Sequence, residues 1–402
     1  MKMKKLSLIL LLPFMLTNCS KDAVQFNVSM KQKSLIEADN SFGFELFKQI
    51  NSATSEDKNL FISPLSISMA LSMTLNGAAG TTLEGMKTAL QLPTLTTQEI
   101  NEINQFLLDK LISLDPKVRL AIANSIWYRK DFYVLPDFLT TNQKYYQAQV
   151  SPLDFSGQDA LKTINNWVYD QTGKKIEKIV NQIDPEDVMF LINAIYFKGD
   201  WKMKFDKNKT ADEDFYLSDG NQLSVPFMKQ KITANYYTND NVDAIELPYG
   251  RGNYSMVVMV PKGNYSVTDL INGMNSDTWK SWKKEFSETK DINLKLPKFR
   301  FEYEITLNDI LSAMGMQEAF SDQADFTGIN PIGQLYISEV KHKSFIEVNE
   351  EGTEAAAATS VGMSLTSVPQ EIWFSADKPF LFFITELNTG CILFMGKIAR
   401  PE

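Results

Sequence analysis

The sequence contains a single histidine, His342, and this one residue restricts the chemistry that the chain can perform. Ser-His-Asp and Cys-His hydrolases need an imidazole as general base beside a nucleophile. His342 lies in V-K-H-K-S-F-I-E-V, an alternating pattern that is typical of a strand and has no nucleophile motif nearby. Gly77 and Gly80 follow a predicted helix, whereas a phosphate-binding glycine loop needs a preceding strand. We therefore predict that the chain is not an enzyme; the less favoured hydrolase reading would require activity that survives substitution of the loop described below.

Metal and thiol chemistry have little basis in the sequence. No cluster of histidine and cysteine is present, and the acidic run 212–214 is predicted to be an exposed loop with solvated charges. Cys391 lies in the apolar stretch C-I-L-F-M and is predicted to be a small buried hydrophobe rather than a nucleophile. We predict no metal and no cofactor.

Residues 350–367 combine small side chains with the alternating pattern of a strand. Propensity alone predicts helix for the four consecutive alanines, yet the side chains alternate with a period of two, which is typical of a strand with one buried face. The flanking stretches S-F-I-E-V-N and E-I-W-F are predicted strands, so a long exposed connection separates them. The small or apolar set comprises Thr353, Ala355, Ala357, Thr359, Val361 and Met363, and the mostly polar set comprises Glu354, Ala356, Ala358, Ser360, Gly362 and Ser364.

The chain resembles the serpins over residues 39–401. Four blocks carry the resemblance, in family order: N-L-F-I-S-P-L-S-I-S-M-A-L-S-M from residue 59, L-I-N-A-I-Y-F-K-G-D-W from residue 191, G-T-E-A-A-A-A-T from residue 352, and A-D-K-P-F-L-F-F-I with F-M-G-K near the end. The resemblance implies a single α+β domain with large mixed or antiparallel sheets, a set of helices and an exposed reactive-centre loop at about residues 350–374.

The resemblance implies irreversible suicide inhibition of a serine protease. The protease cleaves the loop, and the loop then inserts into the central sheet while the enzyme is still bound as an acyl intermediate. Alignment with the family places the scissile bond between Thr366 and Ser367, with cleavage after Leu365 or Met363 as alternatives. The hinge residues are Glu350, Gly352, Thr353, Ala355, Ala357 and Thr359.

Gating residues are also carried over from the family. His342 matches its buried shutter histidine, with Ser63, Ser66 and Asn193 as hydrogen-bonding partners. Lys298 and Glu350 match an ion pair at the end of the hinge, and Trp201 matches the tryptophan where insertion begins. The plainer readings are a satisfied core histidine, surface charges and a core aromatic side chain.

The loop composition bears on which proteases it attracts. Threonine before the cut suits elastase-like enzymes, whereas cleavage after Leu365 or Met363 suits chymotrypsin-like or subtilisin-like enzymes. Residues 353–377 contain no lysine or arginine, so we predict poor inhibition of trypsin-like proteases. Papain-like cysteine proteases are secondary candidates because they also form an acyl intermediate. The alternative function is a non-inhibitory serpin-fold binding protein, although such members commonly have charged, bulky or proline residues in the hinge.

The amino terminus indicates export and lipidation. A basic start is followed by an apolar run too short to span a bilayer and then by L-T-N-C, which resembles a bacterial lipobox. We predict a signal peptide at 1–18, a tether at 19–38 lipidated on Cys19, and a serpin domain at 39–402. The alternative is an ordinary leader with a chance cysteine. The predicted location is the bacterial cell envelope, anchored by lipid to the outer membrane or cell surface.

Charge and cysteine content limit the partners. Without residues 1–18 the chain has 37 basic and 49 acidic residues, a net charge of −12, which argues against nucleic acid. With Cys19 lipidated, Cys391 has no partner for an intramolecular disulfide, so the core must supply the stability. We predict a monomer whose partners are a target protease and a membrane.

The elements that must position these residues follow from hydrophobic periodicity. Ser63 and Pro64 predict the start of a helix that runs to Gly77. Further helices are predicted at 97–113, 136–147, 159–172 and 305–314. Strands are predicted at 119–128, 188–197, 243–247, 255–261, 293–301, 335–349 and 380–397. Helices dominate the first half of the chain and strands the second, which favours an α+β fold.

Overall fold

The computed structural model describes residues 23–92, 94–353 and 371–401. Within these ranges the α-helices are α1 Met30–Ser52, α2 Pro64–Leu75, α3 Gly80–Ala89, α4 Thr97–Ser113, α5 Pro136–Tyr146, α6 Gln158–Gln171, α7 Val267–Gly273, α8 Ser276–Glu285 and α9 Asn308–Leu311. A π-helical segment, Ser312–Met316, follows α9, and short 3-10 segments occupy Lys207–Lys209 and Glu318–Phe320.

The strands follow chain order. They are β1 Leu60–Ile62, β2 Val118–Arg129, β3 Gln149–Leu153, β4 Met189–Asp200, β5 Ala211–Tyr216, β6 Gln222–Thr238, β7 Val242–Tyr249, β8 Tyr254–Pro261, β9 Ser287–Pro297, β10 Phe299–Thr306, β11 Lys341–Val348, β12 Gly352–Thr353, β13 Ile372–Ser375, β14 Phe380–Glu386 and β15 Ile392–Ile398.

The strands of the described residues form three hydrogen-bonded sheets. The largest has the order β1-β15-β14-β8-β7-β6-β9-β13, with β5 paired to β6. A second sheet has the order β12-β4-β2-β3, and β10 pairs with β11 in a third. The pairs β2–β3 and β9–β13 are parallel and the remaining pairs are antiparallel, so the predicted α+β fold with mixed sheets is confirmed.

The core lies between the large sheet and the helices. Strands β8, β14 and β15 are buried on both faces, which explains their nearly continuous apolar sequences. Phe61 on β1 stacks on Phe382 and Phe394, with ring centroids 5.6 and 5.1 Å apart. Cys391 is fully buried, as predicted, and burial raises the pKa of its thiol well above the usual value.

Helix α1 begins earlier than the predicted domain boundary. The structure places Met30 at its first position, behind an N-cap at Ser29 that forms a capping box with Gln32. Leu35 and Ile36 are buried against the core. The prediction of a tether over residues 19–38 is therefore wrong for residues 30–38, because apolar side chains at helical spacing bring this stretch into the fold.

Four other boundaries differ from the predictions. The helix predicted at 305–314 is the end of β10 followed by α9 and the π-helical segment, where Gly315 has φ +119°. The ranges 293–301 and 380–397 each contain two strands, and the strand predicted from residue 335 starts at Lys341.

The acidic run 212–214 lies in β5, where Glu213 pairs with Lys229 and Lys295 rather than being solvated in a loop.

No helix in the described ranges is long and apolar enough to cross a membrane. No group of three or more histidine, cysteine or acidic side chains in the same ranges is arranged to hold a metal ion.

Candidate functional site

The start of α2 lies at the centre of the molecule, next to the single histidine. Ser63 is the N-cap, and its backbone amide donates to Nε2 of His342 over 3.2 Å. Its hydroxyl donates to the Leu393 carbonyl at 2.7 Å and accepts from the Ser66 amide at 3.2 Å. Ser63, Ser66 and His342 are all at least 95% buried. The sequence folds this way because a serine followed by proline is a strong helix start.

A chain of hydrogen bonds continues from this helix start across two strands. The Ser66 hydroxyl donates to Oδ1 of Asn193 on β4. The Asn193 amide donates to Oδ1 of Asn124 on β2 at 2.6 Å, and Asn124 donates to the Tyr146 carbonyl at 2.7 Å. The structure thus brings together all four predicted shutter residues. Asn124 also belongs to this chain of hydrogen bonds, and it was not predicted from the sequence. The signal that could have indicated it is a polar residue at a buried position of an alternating strand.

His342 is held in the neutral form. Burial lowers the pKa of its imidazole to about 4, and Nε2 must be unprotonated to accept the Ser63 amide. Protonation removes that acceptor and places a charge in the core. The imidazole has no nucleophile in hydrogen-bonding range in the described contacts, since its partner there is a backbone amide.

Acidification is expected to destabilise the protein through His342. Since the folded pKa lies below the unfolded value, stability is lost as the pH falls from about 6.5 towards 4. The wild type should lose about 2–3 kcal/mol relative to His342→Asn between pH 7.5 and 4.5. Urea unfolding of both proteins at these two pH values measures the difference.

The comparison with the variant is necessary because another buried group titrates in the opposite sense. Asp39 on α1 accepts a hydrogen bond from Ser68 at 2.5 Å, and burial raises the pKa of its carboxyl to about 7. A raised carboxyl pKa makes stability fall as the pH rises through this range. Subtracting the free energy of unfolding of the variant from that of the wild type removes the contribution of Asp39, which both proteins share. If this difference is the same at pH 7.5 and at pH 4.5, the role given to His342 is contradicted.

The hinge residues Gly352 and Thr353 lie at the carboxyl end of β4. Gly352 and Thr353 form β12, which pairs antiparallel with Asp200 and Gly199 of that strand. Thr353 is 6% exposed, and its hydroxyl lies 3.0 Å from the Tyr249 hydroxyl. The Thr353 side chain therefore lies on the buried side of the sheet.

Trp201 joins the end of β4 to the segment that precedes the hinge. Its indole nitrogen donates to the Asn349 carbonyl at 2.9 Å, and its backbone amide donates to the Glu351 carbonyl at 2.8 Å. Its ring stacks on Tyr249, with centroids 4.4 Å apart and planes inclined by 10°. Trp201 thus contacts the hinge segment directly. Tyr249 was missed because nothing in the sequence places it here.

Gly352 cannot be replaced without moving the backbone. Its φ of +139° is a conformation that side chains disfavour. A Cβ atom there would lie 2.1 Å from the carbonyl oxygen of Gly199. Glycine at this position allows the chain to turn out of the segment after β11 and pair closely with β4.

Two carboxylates at the start of the hinge, Glu350 and Glu351, form ion pairs with lysines. Glu350 accepts from Lys298, with Nζ 3.0 Å from Oε2, and from the Thr210 hydroxyl at 2.8 Å. Burial opposes ionisation of Glu350, but its backbone and side-chain hydrogen bonds outweigh this effect and hold its pKa below the ordinary value. Glu351 pairs with Lys207. The predicted ion pair between Lys298 and Glu350 is present.

The sheet β12-β4-β2-β3 and the pair β10–β11 lie side by side, with β4 next to β11, and together we call them the central sheet. Strand β11 pairs with β10, and β4 pairs with β2 and with the short β12. Within the described residues no hydrogen-bonded ladder joins β4 to β11. Both strands lie beside the start of α2, because His342 belongs to β11 and Asn193 to β4. Unpaired strand edges can take up an added strand.

Several predicted site residues lie outside the described ranges. They include Cys19 and the loop residues, so their predicted roles stay predictions. These residues are Ala355, Ala357, Thr359, Met363, Leu365, Thr366 and Ser367.

Comparison with known proteins agrees with this architecture. A family model described as serpin, serine protease inhibitor, matches residues 37–401. Leukocyte elastase inhibitor A of Rattus norvegicus is 36% identical, over 92% of this chain and 100% of its own. The thermophilic serpin tengpin in the native state superimposes with a TM-score of 0.84 at 35% identity, covering 94% of this chain and 96% of its own. Human thyroxine-binding globulin, solved with its hormone ligand, gives 0.83 at 29% identity, covering 92% and 99%.

The chain belongs to the serpin family. Members of this family are generally protease inhibitors rather than catalysts, and some bind other ligands instead. The fold alone therefore does not decide between an inhibitor and a ligand-binding protein. The residues of the loop and the hinge must decide between these two functions.

Proposed function

We propose that the protein is an irreversible suicide-substrate inhibitor of serine proteases of elastase-like, chymotrypsin-like or subtilisin-like specificity. The observation that carries this proposal is the open edge between β4 and β11, with Gly352 and Thr353 already paired to β4 at one end of it. The small side chains of the next alternate positions, Ala355, Ala357 and Thr359, suit the buried face of an added strand.

The proposed mechanism starts with attack of the protease serine on the carbonyl carbon of Thr366. The peptide bond to Ser367 breaks, the new amino group leaves with the carboxyl-terminal fragment, and an ester joins the enzyme to Thr366. Insertion of residues 353–366 adds 14 residues to the sheet, roughly 45 Å of strand. The tethered enzyme moves with the strand, and distortion of its active site stops hydrolysis of the ester.

The alternative is a non-inhibitory serpin-fold binding protein. Thyroxine-binding globulin shows that a similar fold takes a small ligand. The hinge argues against this alternative here, because Thr353 is already accommodated on the buried side and residues 353–359 contain only one charged side chain, Glu354. Glu354 belongs to the mostly polar alternating set, which the pattern predicts to face outward in an inserted strand.

We also propose that the protein is exported and anchored to the bacterial cell envelope through a lipid on Cys19. The L-T-N-C sequence at the end of an apolar run supports this proposal. Its partners would be the target protease, as a covalent complex with a monomeric inhibitor, and the membrane. An anchored inhibitor would protect the envelope from proteolysis.

The inhibitory function is tested by incubating the chain from Ser20 onward with four proteases, of elastase, chymotrypsin, subtilisin and trypsin type. We expect a covalent complex that survives boiling on a denaturing gel for at least one of the first three. The released peptide should begin at Ser367 by mass. Trypsin-like enzymes should give little complex, because residues 353–377 contain no lysine or arginine.

The control is the same protease with its active-site serine blocked, which should form no complex. A stable trypsin complex with a cut inside residues 353–377 would contradict the alignment of the scissile bond. Cleavage of the loop by every enzyme without any covalent complex would favour the binding-protein alternative.

A further inference from the structure

The segment before α1 is fixed to the body of the protein by two asparagine side chains. Asn253 accepts from the Val24 amide at 3.2 Å and donates to the Val24 carbonyl at 2.8 Å. Asn388 makes the same pair of bonds with Phe26, at 3.4 and 2.9 Å. Phe26 also packs on Phe106 of α4, with ring centroids 5.9 Å apart. The chain is therefore held from Val24 onward and not only from α1.

Exposed apolar side chains surround this attachment. Val24, Leu387 and Ile112 are 45%, 40% and 39% exposed. The Leu387 amide donates to the Asn253 carbonyl at 2.9 Å, which places Leu387 next to the residue that holds Val24. Ile112 follows Leu111, whose carbonyl accepts from Tyr254, the neighbour of Asn253, at 2.5 Å. We call Val24, Ile112 and Leu387 the anchor face.

The chain between the predicted lipid and this attachment is short. Five residue steps separate Cys19 from Val24. Fully extended, they span at most about 18 Å. A lipid on Cys19 therefore limits how far Val24 can lie from the bilayer surface. The attachment to the fold begins at Val24, which lies inside the predicted tether of residues 19–38.

The anchor face and the hinge lie at the same end of the central sheet. The Gly250 amide donates to the Asp200 carbonyl at 2.8 Å, and Asp200 is the residue of β4 that pairs with Gly352. Asn253 is three residues further along the turn between β7 and β8. The opposite end of β4, at Met189, is about 36 Å away at the usual rise per strand residue.

We propose that the anchor face rests on the surface of the phospholipid bilayer, so that the hinge end of the central sheet is the membrane-proximal end. The partner is a bilayer, because the short span from Cys19 brings this particular face to it, and because the anchor face presents apolar side chains there with the cationic Lys110 close to Phe26. The inference rests on the proposed lipidation of Cys19. It fixes an orientation that lipidation alone leaves open.

Hydrogen exchange measured by mass spectrometry tests this orientation. The lipidated protein, expressed from the full sequence and expected to begin at Cys19, is compared in phosphatidylethanolamine–phosphatidylglycerol vesicles and in detergent. Peptides that cover residues 24–29, 110–114 and 386–390 should exchange at least about threefold more slowly on vesicles. Peptides that cover residues 181–188, before the distant end of β4, should exchange equally in both.

Two variants sharpen the test. The double variant Ile112→Asp with Leu387→Asp should lose most of the protection at the anchor face while remaining on the vesicles through its lipid. Glu186→Gln, an exposed residue near the distant end of β4, is the matched control and should keep the protection. Equal exchange at both ends of the sheet in the wild type, or protection unchanged in the double variant, would overturn the proposal.

The failure of lipidation is detected separately from the failure of orientation. The intact mass of the extracted protein shows whether acyl chains are attached, and Cys19→Ser should lack them. A wild-type mass without acyl chains would overturn both the lipid anchor and the orientation, while leaving the inhibition assay on the chain from Ser20 unaffected.

Discussion

Replacing Thr353 with arginine is expected to convert the inhibitor into a substrate. Thr353 is buried beside Tyr249, where the longer side chain of arginine would have to bring a charge out of water at a considerable desolvation cost. Insertion that starts at this residue should slow, and the acyl-enzyme then has time to hydrolyse. The number of inhibitor molecules consumed per enzyme inactivated should rise at least about tenfold, equivalent to ~1.4 kcal/mol in the partition between trapping and release.

Titration of residual protease activity against inhibitor gives this stoichiometry for both proteins. Glu371→Arg is the matched control, because it places the same side chain at an exposed position beyond the inserting residues. The loop of Thr353→Arg should still be cleaved at the same bond, as shown by the mass of the released peptide. Unchanged trapping by Thr353→Arg would contradict the assignment of Thr353 to the buried face of the inserting strand.

Local patterns in the sequence were sufficient for much of the fold. Ser63 followed by Pro64 predicted the start of α2, which the structure confirms with Ser63 as N-cap. The alternation around His342 predicted β11, whose buried and half-buried positions alternate along the strand. Such signals are short in range, since an N-cap or a period of two depends on neighbouring residues alone.

Features that depend on distant partners were not predictable in the same way. The prediction of a solvated loop charge at Glu213 is wrong. Its lysine partners lie 16 and 82 residues away in the chain, so neighbouring residues give no sign of them. The start of α1 at Met30 was not predicted, because most of the residues around the buried Leu35 and Ile36 are polar. Pairing between β12 and β4 joins residues more than 150 positions apart.

The residues of the candidate site were predicted mainly from the resemblance to the serpins and less from local sequence patterns. Nothing in the local sequence joins Ser66 to Asn193 or Lys298 to Glu350, and the structure brings both pairs into contact. Asn124 and Tyr249 complete these contacts and were not predicted from either source. Residues that complete a site by packing, without belonging to a motif, give little sequence signal.

Cleavage of the loop without trapping is expected to raise the melting temperature. In the intact chain the edges of β4 and β11 have no ladder between them in the described residues, so their backbone groups are unpaired with each other. Insertion of residues 353–366 would supply partners for both edges, at about 0.5–1.5 kcal/mol for each hydrogen bond. Ordering the inserted strand costs part of this gain. A net gain of about 5 kcal/mol would raise the midpoint by about 6 °C for a fold of this size.

The measurement is a calorimetric scan of the intact and the cleaved protein, with cleavage by a catalytic amount of a thermolysin-like zinc protease, which forms no acyl intermediate. Thr353→Arg, cleaved in the same way, provides the control, because hindered insertion should leave its midpoint close to that of the intact form. If cleavage leaves the wild-type midpoint unchanged or lowers it, the open edge beside β4 does not accept the loop, and the serpin fold of this chain serves binding rather than inhibition. If both cleaved proteins gain equally, the added stability does not come from insertion that begins at Thr353.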